Sequence, residues 1–195
     1  KYNVYNALAV ISVALSLGKS LASLVDIFTS FQGVKGRLER VSNDLELDIF
    51  IDYAHTPHAL ENVLQSLRDF SKGKIITVFG CGGDRDKEKR PLMGKIAEKL
   101  SDIVVLTSDN PRTEDPHKII EDILGGMKDS TPRYIDLDRE KAIVLAIEKA
   151  KRGDLILIAG KGHECSQNFA HYTLSFDDKE CARKTCIQKV TNLQK

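Results

Sequence analysis

Beyond Leu38 the chain alternates short, almost wholly apolar runs with longer stretches in which apolar residues recur every three or four positions. Residues 48–53 (DIFIDY), 75–79 (IITVF), 103–107 (IVVLT) and 155–159 (LILIA) read as strands. A brief strand is expected at 133–136 and a final edge strand at 171–176. Pro57 opens a helix at its first turn, with Leu60, Val63, Leu64 and Leu67 on one face. Further helices are predicted over 91–100, 116–124, 139–149 and 178–190. Strands that lack polar alternation are buried on both faces, so the pattern predicts an α/β fold: a mostly parallel sheet with helices on both sides.

Residues 1–32 follow a different rule. Positions 2–17 are almost all apolar or small, Gly18 is a natural helix end, and Ser20 can cap a second helix through Phe31. Two helices without a strand do not make a domain, so they read as the end of a preceding one. Residues 33–36 (GVKG) read as a linker, which gives two expected parts, 1–34 and 35–195. The chain opens on Lys1 with helical pattern at once, and is expected to be a piece of a longer protein.

Charge narrows the partners. With 29 basic and 28 acidic residues the formal net charge is +1, so no strong field for a polyanion is expected and nucleic acid is not an expected partner. No apolar run approaches the ~18 residues of a membrane span, and no signal-peptide pattern opens the chain. Cys81, Cys165, Cys181 and Cys186 form no C-x-x-C pair and read as reduced thiols of a cytoplasmic protein. His163 and Cys165 do not have the spacing of a zinc site.

Parallel strands deliver their carboxyl ends to one edge of a sheet, where ligands of open α/β folds sit. Four of these ends are polar: 52–57 (DYAHTP), 80–86 (GCGGDRD), 109–112 (DNPR) and 160–164 (GKGHE). Asp52 is placed to accept from ribose hydroxyls, or else Asp52 or Thr56 caps the next helix. His55 faces a nucleotide or only enters the helix; as a general base it lacks an evident acid to orient it. Arg85 and Arg112 offer two guanidinium forks suited to a ligand with more than one carboxylate, or else bond Asp84, Asp86 or Glu114. Asn110, held extended by Pro111, aims its amide at a ligand or forms an Asx turn. Glu164 receives a ligand ammonium or balances Lys161 or the arginines, while Gly160 and Gly162 expose backbone or merely turn the chain.

Two patterns mislead. Gly18-Lys19-Ser20 ends like a P-loop, but Val13 stands at its first glycine and a helix precedes it. Gly80-Cys81-Gly82 begins like a dinucleotide fingerprint, but Arg85 occupies its third glycine, which disfavours an oxidoreductase.

The strings YNVYNALA (2–9), GRLE (36–39), DYAHTP (52–57), VFGCGGDRD (78–86), KRPLMG (89–94), DNPRTEDP (109–116) and GKGHE (160–164), in this order, resemble the Mur ligases of peptidoglycan synthesis. Within that family they are most similar to the MurE type, which adds meso-diaminopimelate to UDP-N-acetylmuramoyl-L-alanyl-D-glutamate. The resemblance implies a cytoplasmic ATP-dependent ligase that works through an acyl phosphate attacked by the diaminopimelate amine, with ATP and Mg2+ as cofactors. It implies that 1–34 close a central ATPase domain and that 35–195 are the Rossmann-like C-terminal domain. Arg85, Asp109, Asn110, Pro111, Arg112, Gly160 and Glu164 then correspond to the diaminopimelate site. Asn6 would face adenine, Asp52 the ribose, and Arg37 and His55 the nucleotide side. Lys35 departs from an expected linker proline. The P-loop, the Mg2+ ligands and the modified lysine of that family lie outside this sequence, so the chain alone is expected to be inactive. A monomer is expected, and a non-catalytic amino-acid-binding module of the same fold is the alternative.

Overall fold

A computed structural model describes residues 2–31 and 33–193. The chain divides into two compact units, Lys1–Val34 and Lys35–Lys195.

The first unit holds α1 (Tyr2–Ser16) and α2 (Leu21–Ser30). Gly18 takes a left-handed φ of 77° and ends α1, while the Ser20 side chain accepts from the Ser23 amide and starts α2. Val4, Tyr5, Leu8, Val10 and Val13 on α1 are exposed, as are Val25 and Ile27 on α2.

The second unit is built on β1 (Glu39–Val41), β2 (Asp48–Asp52), β3 (Ile75–Phe79), β4 (Ile103–Leu106), β5 (Arg133–Ile135) and β6 (Leu155–Ala159). These form one sheet in the order β1-β2-β6-β3-β4-β5, parallel except for β1, which runs antiparallel to β2. Every residue of β3 and β6 is buried, as their unbroken apolar runs require. One face is covered by α3 (Pro57–Arg68), α4 (Lys89–Leu100) and α5 (Pro116–Leu124), which supply Leu60, Leu64, Met93, Ala97, Ile119 and Ile123 to one core. The other is covered by α6 (Arg139–Lys149) and α7 (Asp178–Leu193), with Ile143, Ala146, Ile147, Ala182 and Cys186 in a second core. Thr56 caps α3, Asp115 caps α5 and Asp138 caps α6 through their side chains. Among the described residues no helix is long and apolar enough to cross a membrane.

Several boundaries differ from the sequence expectation, most by one to three residues. The helix expected from Pro91 begins two residues earlier at Lys89; a proline in the first turn forfeits no intrahelical bond, so Pro91 does not have to be the first helical residue. The strand expected at 171–176 is shorter and is not an edge of the main sheet. It is β8 (Thr173–Ser175), exposed throughout, and it pairs antiparallel with β7 (Ser166–Asn168) in a separate hairpin. Its single leucine gives it no apolar face to lay on a core. The three-residue strands β1 and β7 carry too little pattern to be read in advance.

β6 is inserted between β2 and β3 although it follows both in the chain. From β3 the chain leaves toward α4 on one face, and after β6 it reaches α7 on the other, so a crevice opens between these strand ends.

Candidate functional site

The 80–83 and 107–111 loops meet backbone to backbone at this crevice. Gly83 N donates to the Asn110 carbonyl at 2.9 Å, and a Cβ on Gly83 would lie 1.8 Å from the Pro111 carbonyl oxygen. Only glycine permits that approach. Gly83→Ala should therefore force the loops apart and lower stability by roughly 1–3 kcal/mol, a cost typical of overpacking. Thermal unfolding of the variant checks this; an unchanged midpoint would contradict the close packing.

The same contact gathers the two arginines. The Gly83 carbonyl accepts from Arg112 Nη1 at 2.7 Å, and the Asn110 carbonyl accepts from the same nitrogen at 3.4 Å. A Cβ on Gly82 would stand 2.9 Å from Arg112 Nη1 and 3.6 Å from Arg85 Cγ, so the two side chains flank that glycine. Arg112 is half-buried and held at a left-handed φ of 53°. Its amide donates to the Asn168 carbonyl at 3.0 Å, which ties the loop to β7. Arg85 is exposed and donates to the Asp84 carbonyl at 2.9 Å. Among the described residues neither guanidinium has an ion-pair partner. Their charges remain available to an anion.

Glu114, offered by the sequence as a partner for them, is taken by a residue the sequence did not single out. Arg90 is fully buried and reaches Glu114 at 2.8 Å and Asp122 at 2.8 Å. The Arg90 guanidinium, aided by the Asp84 amide and Lys87, pulls the Glu114 carboxyl from its ordinary 4.5 down to about 2. A carboxyl with a depressed folded pKa stabilises the fold above its unfolded value, and that contribution is lost as pH falls through the folded one. Stability should thus decline between about pH 4.5 and 2. In Glu114→Gln this part of the decline should disappear, with stability lower at neutral pH and the two curves meeting near pH 2. Urea midpoints across that range measure it.

Asn110 is the hub of the remaining groups. Its Nδ2 donates to Glu164 Oε2 at 2.9 Å, and its Oδ1 accepts from Lys161 Nζ at 3.1 Å and from the Asn168 amide at 3.0 Å. Lys161, fully buried, also meets Glu164 Oε2 at 3.2 Å. Burial pushes the Glu164 carboxyl up, but the Asn110 amide, the Lys161 charge and the Tyr53 hydroxyl outweigh it and hold the carboxyl below its usual range. An ionised acid is therefore bonded to Asn110, whose carbonyl accepts from Arg112. Asp109, buried, accepts from the Asn110 amide at 2.7 Å, and its Oδ2 packs on Gly160, which takes a φ of 113° and where a Cβ would lie 2.7 Å from that oxygen. Pro111 is buried.

A second group of side chains lies at the end of β2. The Arg37 guanidinium stands 4.8 Å from the Tyr53 ring centre, and the rings of His55 and His163 lie 4.6 and 5.4 Å from it. The Tyr53 carbonyl accepts from His55 Nδ1 at 2.8 Å, which leaves Nε2 outward. The Asp52 carboxylate accepts from the amides of Leu38 and Ala54, both at 2.8 Å, while burial pushes it up. Asp52 thus shapes the turn, and the cap of α3 is Thr56. Asn6 is exposed on α1, in the first unit. Cys81 and Cys181 are buried with their thiols pushed up to about 12, which makes them inert as nucleophiles.

Residues 36–162 match the family described as Mur ligase, glutamate ligase domain, and so span the sheet and most of this site. The chain belongs to the Mur ligase family. It is 54% identical over 183 residues to the UDP-N-acetylmuramoyl-L-alanyl-D-glutamate–2,6-diaminopimelate ligase of Lawsonia intracellularis, covering 94% of this chain and 38% of that protein. The ligase of the same name from Clostridioides difficile is 50% identical over 190 residues, covering 97% and 39%. A solved structure bearing that name superposes with a TM-score of 0.78 at 40% identity, over 97% of this chain and 39% of its own. The Mur ligase fold extends to the Thermotoga maritima UDP-N-acetylmuramate-alanine ligase, at a TM-score of 0.70 and 22% identity. This Mur ligase chain spans under two fifths of the length of the curated relatives it matches.

Of the sequence alternatives for Glu164, balance of Lys161 is present, and the Glu164 side chain stays 34% exposed. Sequence reasoning missed Gln167, whose Nε2 donates to the carbonyls of Ser108 at 3.2 Å and Asp109 at 2.9 Å. It also missed Tyr53 and His163. An aromatic next to Asp52 inside DYAHTP was the available signal for Tyr53; nothing in the pattern marked Gln167.

Proposed function

We propose that this chain is the amino-acid-binding part of an ATP-dependent ligase that joins meso-diaminopimelate to UDP-N-acetylmuramoyl-L-alanyl-D-glutamate in the cytoplasm. Residues 1–34 would then close the central ATPase domain, which accounts for the apolar side chains exposed on α1 and α2, and 35–195 would be the C-terminal domain. The observation that carries the reading is the pairing of Arg85 and Arg112 at Gly82, free of carboxylates among the described residues, beside an ionised Glu164. Two guanidinium forks and one acid complement a carboxylate and an ammonium on the same carbon. Asp109, Asn110, Pro111 and Gly160 frame that space.

ATP would supply the phosphoryl group that activates the acceptor carboxyl. Arg37, Tyr53, His55 and His163 form a side of the crevice suited to its base or sugar, with Asp52 as a further contact. Mg2+ would neutralise the phosphates of ATP, with its ligands in the central domain; among the described residues no three of His, Cys, Asp or Glu gather as a metal site.

Titrating meso-diaminopimelate and L-lysine against the complete ligase tests the reading. The former should be used about a hundredfold better, because lysine leaves the buried polar groups without a carboxylate. Equal use of both would overturn it. The chain alone should form no product from ATP, and product formation by it would refute the division of labour.

A further inference from the structure

The chemistry of the Asn110–Lys161–Glu164 triangle fixes which way the Asn110 amide faces. An ammonium only donates, so the atom 3.1 Å from Lys161 Nζ must be oxygen; the Asn168 amide, 3.0 Å away, demands the same. A carboxylate only accepts, so the atom 2.9 Å from Glu164 Oε2 must be the NH2. The Asn110 oxygen is therefore used up within the protein. One Nδ2 hydrogen serves Glu164, and the other has no acceptor among the described residues. Glu164 Oε2 already accepts from Asn110 and from Lys161, so the acceptor capacity left to Glu164, less what the Tyr53 hydroxyl takes, is on Oε1.

From this geometry we propose that Lys161 is a positioning residue for substrate selectivity: it locks Asn110 as a donor and Glu164 Oε1 as the adjacent acceptor. A donor beside an acceptor reads an amino-carboxylate end, with the carboxylate on Asn110 and the ammonium on Glu164. It does not suit an end that carries an ammonium alone. The inference rests on the diaminopimelate reading above and adds a residue that touches no ligand. Lys161 is fully buried and spends its charge inside the protein. Without it, Asn110 is held only by the Asn168 amide, and Glu164 keeps an uncompensated charge that favours a bare ammonium.

Lys161→Met in the complete ligase tests this. The KM for meso-diaminopimelate should rise about ten- to a hundredfold, the loss expected when a charge-assisted pair is removed. The KM for ATP should stay within about twofold, and the preference for meso-diaminopimelate over L-lysine should fall by about tenfold or more. A merely structural role would lower kcat and thermal stability and leave that preference unchanged, and this result overturns the inference. Should the variant fail to fold, the unmodified protein decides by NMR of the Asn110 side-chain amide. On titration with meso-diaminopimelate one of its two Nδ2 hydrogens should shift and the other stay; equal shifts of both, or of neither at saturation, overturn it. Absence of any meso-diaminopimelate use by the unmodified ligase would sink the ligand reading and this inference with it, whereas normal use with unaltered selectivity in Lys161→Met sinks this inference alone.

Discussion

Arg112→Ala should lower kcat/KM for meso-diaminopimelate about a hundredfold or more in the complete ligase, because hydrogen bonds to charged groups are worth ~1.5–3 kcal/mol each and a fork supplies two. The KM for ATP should change little, since the aromatic and histidine cluster at the end of β2 is built from other loops. Part of the loss is indirect. Arg112 Nη1 also holds the Gly83 carbonyl, so truncation loosens the glycine loop that carries Arg85. Arg112→Lys separates the two contributions. A lysine keeps the charge but presents no planar fork, and should recover well under half of the lost free energy. The Arg112 amide would still donate to Asn168, so the loop keeps its tie to β7 in both variants. Unchanged kinetics with meso-diaminopimelate in Arg112→Ala would remove this residue from the site and with it the main support for the proposed substrate.

What the sequence made legible follows from where each signal is encoded. The strands IITVF and LILIA are buried on both faces, so their pattern is local and could be read without the fold. The caps Ser20 and Thr56 are likewise local, each bonding an amide three residues on. The polar strand ends were legible because parallel strands must deliver them to one edge. The buried cations were not. Arg90, Arg139 and Lys161 are each 0–1% exposed, and a charge in a helix or turn reads as solvated until its partner is known. Their partners lie 24 and 32, 39, and 51 positions away for Arg90, Arg139 and Lys161, the last counting Asn110. Pairings of that range are set by sheet order, and the order β2-β6-β3 is not written in any one strand. The hairpin β7–β8 escaped for a related reason. Its strands are three residues long, and its role is to donate Gln167 and Asn168 to the 108–112 loop rather than to bury apolar surface.

The largest stability effect is expected at Arg139. It is the first residue of α6, where the helix dipole disfavours a cation, and it is fully buried, which disfavours charge altogether. Asp178 offsets both. It lies at the start of α7, where an anion is favoured, and accepts from Arg139 Nε at 2.7 Å and Nη2 at 2.8 Å. Two further guanidinium hydrogens reach the carbonyls of Ser108 at 3.3 Å and Ala159 at 3.0 Å. Those two carbonyls lie just past β4 and at the end of β6, the strands that lead into Asn110, Gly160 and Glu164. Arg139→Ala should therefore cost about 3–5 kcal/mol, because it strands a buried carboxylate. At ~2–4 °C per kcal/mol for a domain of this size, the midpoint should fall by about 6–20 °C. Replacing both partners by leucine should recover much of the stability, since an apolar pair needs no compensation for desolvation. It should not recover substrate binding, because the Ser108 and Ala159 carbonyls still lack their donor and the two loops lose their common anchor. Thermal unfolding and meso-diaminopimelate kinetics on the same three proteins separate these outcomes. A double variant that regains both stability and affinity would mean that Arg139 only fills space.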